Sequence, residues 1–254
     1  MSLNPPITDW QGKRVWIVGA SSGIGAALVN RLMDDGARLA ISARREEKLS
    51  QIAAEGVLIL PLDVTHGDAL KWARDELLMQ WGGIDMIVYC AGIYTPMRSW
   101  SLDMPVIRQV IETNLQGVYN LLDAILPCYL KQAEGGLCIL ASVAGYTGLP
   151  KALAYGPTKA ALINLAEILY TDLSSRGIGV YLVNPGFVDT RLTEQNDFDM
   201  PALITAEQAA AEILKGIGKG RFEIHFPRRF TYWMKLLSRL PDRLRFYLLK
   251  KAVG

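Results

Sequence analysis

Apolar runs alternate with amphipathic ones along most of the chain. "RVWIVGA" (14–20) is short, rich in β-branched residues and ends in glycine, which predicts a buried strand. "GIGAALVNRLMDDG" (23–36) carries its apolar residues at helical spacing and stops at glycine. The alternation continues with a strand at 37–43, a helix at 45–56, a strand at 57–64, a helix at 66–83 and a strand at 84–92. A long helical stretch over 104–131, a strand at 136–143, a helix at 155–176 and a strand at 179–186 follow. "AEQAAAEILKGI" (206–217) predicts another helix and "FEIHF" (222–226) the last strand. These strands are apolar throughout instead of alternating, so both faces should be covered. That pattern predicts an α/β fold with a doubly wound, mainly parallel sheet, helices on both faces and right-handed crossovers. No composition break precedes about residue 220, so one domain over 1–254 is expected, with a core of about 10–226 and a helical extension of about 227–254. In such sheets ligands bind beyond the carboxyl ends of the strands, and the chemistry is expected there.

Composition narrows the classes. Half of the 254 residues are hydrophobic and the net charge is +2, so nothing global calls for nucleic acid. The charge is uneven: from Arg221 onward nine Lys/Arg face two Asp/Glu, a local +7 that leaves −5 for the remainder. Cys90, Cys128 and Cys138 form no C-x-x-C and sit among apolar residues, as expected of free thiols in a reducing, cytoplasmic setting. His66 and His225 lack partners at ligand spacing, and no catalytic metal is expected. The first ten residues do not read as a signal peptide, and no run approaches the roughly 18–20 apolar residues of a spanning helix.

"GASSGIG" (19–25) lies between the first strand and the first helix. Glycines at 19, 23 and 25 permit a tight turn and let backbone N–H groups approach a pyrophosphate at the helix's positive end; a turn chosen only for packing is the alternative. Gly19, Ser21, Ser22, Gly23, Ile24 and Gly25 are thus expected cofactor contacts in a Rossmann-type fold. The second strand ends Ser42-Ala43-Arg44-Arg45, with no carboxylate before Glu46. A carboxylate there would hold the ribose 2′-OH of NAD, whereas a guanidinium grips a 2′-phosphate. Arg44 therefore predicts NADP(H) over NAD(H), against the alternative that both arginines are helix-surface charge.

"YGPTK" (155–159) sets a tyrosine and a lysine four apart, one helical turn. A phenol of pKa near ~10 is a poor base at neutral pH, and a neighbouring ammonium would lower it. The same spacing recurs at Tyr247 and Lys251, beyond the last predicted strand and without a strand-end serine before it. Pro157 favours the first turn of a helix, which puts Tyr155 at a helix entrance near the strand ends.

Taken together, the glycine turn, "LDV" (62–64), Ala91-Gly92, Asn114, Ser142, "YGPTK" and "NPGFVDT" (184–190) resemble the short-chain dehydrogenase/reductase family, in its compact single-domain branch, over roughly residues 10–225. The resemblance implies that Tyr155 is the general acid/base, Ser142 binds the substrate oxygen, Lys159 holds the nicotinamide ribose and polarises Tyr155, and Asn114 holds a water in a proton relay. It implies adenine contact at Asp63 with Val64 beside it, cofactor contact at Ala91 and Gly92, and a nicotinamide side lined by Pro185, Gly186, Val188 and Thr190. It also implies a small carbonyl or alcohol substrate and a homodimer or homotetramer joined through the helices of 104–131 and 155–176. Two departures stand out: Val18 where the family usually has threonine, and Tyr89-Cys90 where it often has Asn-Asn, so the brace of the central sheet must differ.

The substrate lid is expected in "RLTEQNDFDMPALIT" (191–205). Beyond Pro227 the chain departs from the minimal plan: Phe230, Trp233, Met234 and Leu237 fall on one helical face and Arg228, Lys235 and Arg239 largely elsewhere. A basic amphipathic tail over about 228–251 fits peripheral membrane contact, or else a cap on the protein's own pocket or on a partner subunit. The leading function is an NADP(H)-dependent carbonyl reductase or alcohol dehydrogenase, with an apolar substrate expected. The alternatives are a non-catalytic NADP-binding sensor or scaffold, and a peripheral membrane protein whose tail is its main element.

Overall fold

The computed structural model describes residues 2–195 and 200–251. Seven strands, β1 (Arg14–Val18), β2 (Arg38–Ser42), β3 (Leu58–Ile59), β4 (Met86–Tyr89), β5 (Gly135–Leu140), β6 (Ile178–Pro185) and β7 (Glu223–Phe226), form one sheet. Its order is β3-β2-β1-β4-β5-β6-β7, and every pairing is parallel. The chain runs outward from β1 to β3, returns to β4 beside β1, and runs outward again to β7. The crevice between β1 and β4 is therefore the topological switch point.

Nine helices surround the sheet among the described residues: α1 (Gly23–Asp34), α2 (Glu46–Ser50), α3 (Gly67–Trp81), α4 (Met104–Ile111), α5 (Gly117–Gln132), α6 (Tyr155–Leu173), α7 (Ala206–Gly218), α8 (Arg228–Arg239) and α9 (Asp242–Lys251). Strand side chains alternate between two faces. Val15 and Ile17 pack with Leu28, Leu32, Ile213 and Ile217 of α1 and α7. Trp16 and Val18 join Leu70, Leu121, Ile125 and Leu162 of α3, α5 and α6. Two apolar layers on one sheet account for strands without polar alternation.

Several spans differ from expectation. The run 57–64 pairs as a strand only at Leu58–Ile59, although the amides of Leu60 and Leu62 still bond the Ile41 and Ala43 carbonyls; Pro61, between them, sits on the free edge. The helix expected over 45–56 is five residues long, tightening where Ile52 N–H bonds the Leu49 carbonyl three residues back. Strand β5 ends at Leu140, so Ser142 stands two residues past it.

The stretch 104–131 is not one continuous helix. A π-turn over Glu112–Gln116, in which Gly117 N–H reaches back to the Glu112 carbonyl, separates α4 from α5. Tyr89 supplies the physical reason. Its buried hydroxyl donates to the Thr113 carbonyl at 3.0 Å, the group that Gly117 N–H would take in an α-helix. A Cβ at Gly117 would lie 2.4 Å from that hydroxyl oxygen. The altered sheet brace is thus this tyrosine, anchored from β4 into the α4–α5 junction.

The tail also differs. Phe230, Met234 and Leu237 of α8 face inward and pack with Leu249, Val143, Tyr146 and Leu149. Trp233, expected on that face, is half exposed and points outward with Tyr232 and Leu236. No helix among the described residues is long and apolar enough to cross a membrane.

Candidate active site

A cleft of about 250 Å³ opens at the switch point, over the carboxyl ends of β1, β2, β4, β5 and β6. Its floor is the turn from β1 into α1. Gly19 has φ +92, and a Cβ there would lie 2.4 Å from the Ala91 nitrogen. A Cβ on Gly25 would lie 2.2 Å from the Gly19 carbonyl oxygen. Side chains at either position would push apart the turn, the end of β4 and the start of α1. Ser22 caps α1 in extended backbone, and its hydroxyl makes no capping bond to the helix. The first N–H groups of α1 therefore face the cleft free to bind an anion. This open, positive cradle fits the pyrophosphate of a dinucleotide.

Ser21, Ser22, Gly23 and Ile24 line the cleft with Gly19 and Gly25. So do Arg44, Asp63, Val64, Ala91, Gly92, Ser142, Tyr155, Lys159, Pro185, Gly186, Val188 and Thr190. Every residue expected to touch cofactor from the sequence is thus on one surface. Asn114 is buried behind that surface, with its neighbour Thr113 on it. The cleft also takes in Arg45, Ile93, Arg191 and Thr193, which were not singled out. The adjacency of Arg45 to Arg44 and of Ile93 to Gly92 was a usable signal. Thr193 had none: its hydroxyl ties the loop by donating to the Val188 carbonyl at 2.7 Å. Of the expected lid, residues 196–199 lie outside the described residues.

At the end of β2, the Arg44 guanidinium stands 3.9 Å from the Asp63 carboxylate, with its side chain 60% exposed. Burial raises the Asp63 carboxyl, but hydrogen bonds from the Thr65 amide (3.0 Å) and hydroxyl (2.9 Å), with Arg44 nearby, hold it below its ordinary value. Asp63 is therefore a fixed anion and Arg44 a loosely held cation.

The expected catalytic residues converge beyond β4 and β5. Ser142 accepts from the Ala144 amide at 3.1 Å, and its hydroxyl is near enough to the Tyr155 phenol to favour the ionised form. Lys159, a turn below Tyr155 on α6, donates to the Leu140 carbonyl at 2.8 Å and puts its Nζ 5.4 Å from the Tyr155 ring centre. Tyr94 meets the Tyr155 ring edge-on at 5.2 Å. Asn114 donates through Nδ2 to the Ile93 carbonyl (2.9 Å) and to Thr158 Oγ1 (3.3 Å), and accepts from the Ile93 amide (2.8 Å). Both its donors are taken, and Oδ1 keeps one lone pair.

The electrostatics depart from expectation in one respect. The Tyr155 phenol is pushed up to about 12, not down: burial outweighs the Ser142 hydroxyl, and Tyr94 adds to the rise. Burial also lowers the Lys159 ammonium to about 8. Desolvation penalises both charged forms and is the largest cause of each shift. Cys90, beside Lys159, is pushed up to about 12 by burial and behaves as an inert thiol.

The tail packs against the cleft residue Gly186 from outside the cleft. Phe230 packs over Gly186, and its ring lies 5.5 Å from that of Phe187. Glu223 on β7 accepts from Tyr146, from Asn184 at 2.8 Å and from Lys235 of α8. This half-buried network ties α8 to the loop that follows Ser142. The second Tyr/Lys pair is unrelated: Tyr247 is exposed on α9.

The model of the short chain dehydrogenase family matches residues 13–200. An uncharacterized oxidoreductase of Myxococcus xanthus is 34% identical over 234 residues, covering 90% of this chain and 92% of its own. Another, from Staphylococcus epidermidis, is 32% identical over 203 residues, 78% of this chain and 87% of its own. Among solved structures, a short chain dehydrogenase of Burkholderia cenocepacia in complex with NADP superposes with a TM-score of 0.83 at 22% identity, covering 95% of this chain and 98% of that one. A short chain dehydrogenase/reductase of Burkholderia phymatum in complex with NAD gives 0.83 at 23% identity, covering 91% and 94%. The structural likeness bears on the fold; the matched family model and the relatives carry the assignment, and this chain is an oxidoreductase that belongs to the short-chain dehydrogenase family.

Proposed function

We propose that the protein is an NADP(H)-dependent oxidoreductase that interconverts a ketone or aldehyde and an alcohol, with Tyr155 as general acid/base. The observation that carries this reading is the convergence of Ser142, Tyr155 and Lys159, with Lys159 Nζ 5.4 Å from the Tyr155 ring, on the cleft whose floor is an anion cradle. A non-catalytic sensor would need the cradle but not the phenol.

The turn of Gly19–Gly25 would hold the pyrophosphate, Asp63 and Val64 the adenosine, Arg44 a 2′-phosphate, and Lys159 the nicotinamide ribose. Bound there, the nicotinamide supplies or takes up hydride. Ser142 holds the substrate oxygen with its hydroxyl. Tyr155, neutral because burial raises it to about 12, donates its proton to that oxygen in reduction. Lys159 and a water on the free lone pair of Asn114 Oδ1 return the proton. Tyr94 beside Tyr155, and Phe187 with Phe230 beside Gly186, put aromatic rings next to the substrate side, which suits an apolar substrate. By the family resemblance the protein would form a homodimer or homotetramer through α5 and α6, on which Tyr119, Leu130 and Ile168 are exposed, and its free cysteines suit a cytoplasmic setting.

The test is a panel of ketones, aldehydes and alcohols followed by NADPH absorbance. Some member should turn over, and Tyr155→Phe should cut kcat by roughly 10²–10⁴-fold. Reduction should slow as pH rises past about 8, where Lys159 loses its proton. Undiminished turnover in Tyr155→Phe would exclude the mechanism.

A further inference from the structure

We propose that the outward face of the α8–α9 pair docks on an anionic membrane surface. The inner face of α8 is spent: Phe230, Met234 and Leu237 pack inward, and Thr231 is buried against His225 at 2.6 Å. Yet the outward stripe of the same helix is also apolar. Tyr232, Trp233 and Leu236 are 57%, 50% and 52% exposed, with exposed Arg229 before them and Arg239 after them. On α9, Leu244, Phe246 and Tyr247 are likewise exposed. A folded protein gains nothing from placing aromatic rings in water beside a finished core, and such a patch marks a contact surface.

Charge selects the partner. Arg228, Arg229, Arg239, Arg243, Lys250 and Lys251 are exposed around these rings. The exposed carboxylate among them, Asp242, is paired with Arg245. Two copies meeting here would set six exposed cations against six, which opposes a homotypic interface. Nucleic acid would neutralise the cations but offers no seat for Leu236 and Leu244. A bilayer of anionic lipids satisfies both features: headgroups meet the arginines, and Tyr and Trp lie at the boundary between headgroup and acyl chain. The −5 carried by residues outside the tail would turn the rest of the molecule away from that surface. Because Phe230 of α8 packs against Gly186, which lines the cleft, docking would bring an apolar substrate's source close to the site.

The test uses the full chain without cofactor, so its outcome is independent of the reductase reading. The protein is sedimented with vesicles of phosphatidylcholine alone and of phosphatidylcholine mixed with phosphatidylglycerol, at low and high salt. Binding should require phosphatidylglycerol and weaken with salt. Each exposed cation contributes about fivefold, so the combined variant Arg228→Gln, Arg229→Gln, Arg239→Gln, Arg243→Gln should lose about 100-fold or more. The variant Tyr232→Ser, Trp233→Ser, Leu236→Ser should lose binding while staying folded, its Tm lowered only by loss of the Tyr232–His225 ring contact. Bromine-labelled lipid should quench wild-type tryptophan fluorescence more than that of Trp233→Phe. Equal sedimentation with both vesicle types overturns the proposal, as does tighter binding to duplex DNA than to the anionic vesicles. A triple-serine variant that changes only from dimer to monomer, with vesicle binding intact, assigns the face to a second copy and also overturns it.

Discussion

Arg44 meets the cleft as a cation with little to hold it. Its carboxylate neighbour among the described residues, Asp63, is 3.9 Å away and already occupied by two hydrogen bonds from Thr65. Most of its side chain is in water, where such a pair is worth little. The guanidinium is thus free to turn onto a 2′-phosphate without breaking anything costly, and a hydrogen bond to a charged group contributes about 1.5–3 kcal/mol. Arg44→Ala should raise KM for NADPH about 10–100-fold and leave NADH unchanged, with Arg45, also on the cleft, sustaining a residual preference. A NADPH/NADH ratio equal to wild type would remove Arg44 from recognition. Tyr155 shows the complementary case. There the decisive quantity is desolvation, which a sequence does not display, and it makes the phenol a proton donor in the protein alone.

At the scale of elements, the α4–α5 junction is where one side chain decides backbone geometry. Tyr89 takes the Thr113 carbonyl out of the helical ladder, and the resulting π-turn carries Asn114 to Ile93 and Thr158. Tyr89→Phe should let Gly117 N–H recover the Thr113 carbonyl and shift Asn114. We expect Tm to fall, by about 2–4 °C per kcal/mol lost, and kcat to fall about tenfold or more as the relay is displaced. A variant that loses Tm but keeps kcat makes the turn purely structural. The junction was illegible because residues 104–131 keep helical periodicity straight through it, and the bond that breaks the helix joins residues 24 apart. Trp233 was misplaced for a related reason: α8 is apolar on both sides, and only packing on Val143 and Tyr146 shows which side is inside. The alternation of strand and helix was legible because buried parallel strands are apolar on both faces. The glycine turn and "YGPTK" were legible because their chemistry is local, whereas Arg191 and Thr193 reach the cleft through the path of a loop.

At the scale of the molecule, the cleft joins two halves of one sheet. The cradle and Arg44 belong to β1 and β2, while Ser142, Tyr155, Lys159 and Gly186 follow β5 and β6. A dinucleotide held by both would bind the folded chain and not the unfolded one, so occupancy must appear as global stability. At a concentration about 100 times its Kd, a ligand adds about 2.7 kcal/mol, which for a chain of this size raises Tm by roughly 5–10 °C. NADP⁺ should produce that shift and NAD⁺ at equal concentration a smaller one. Gly19→Ala, whose Cβ would stand 2.4 Å from the Ala91 nitrogen, should lower Tm in the free protein and abolish the shift. Arg44→Ala should keep the NAD⁺ shift and lose most of the NADP⁺ excess. Equal shifts with both dinucleotides in the wild type would show that the cleft holds the shared part of the cofactor and does not read the 2′-phosphate.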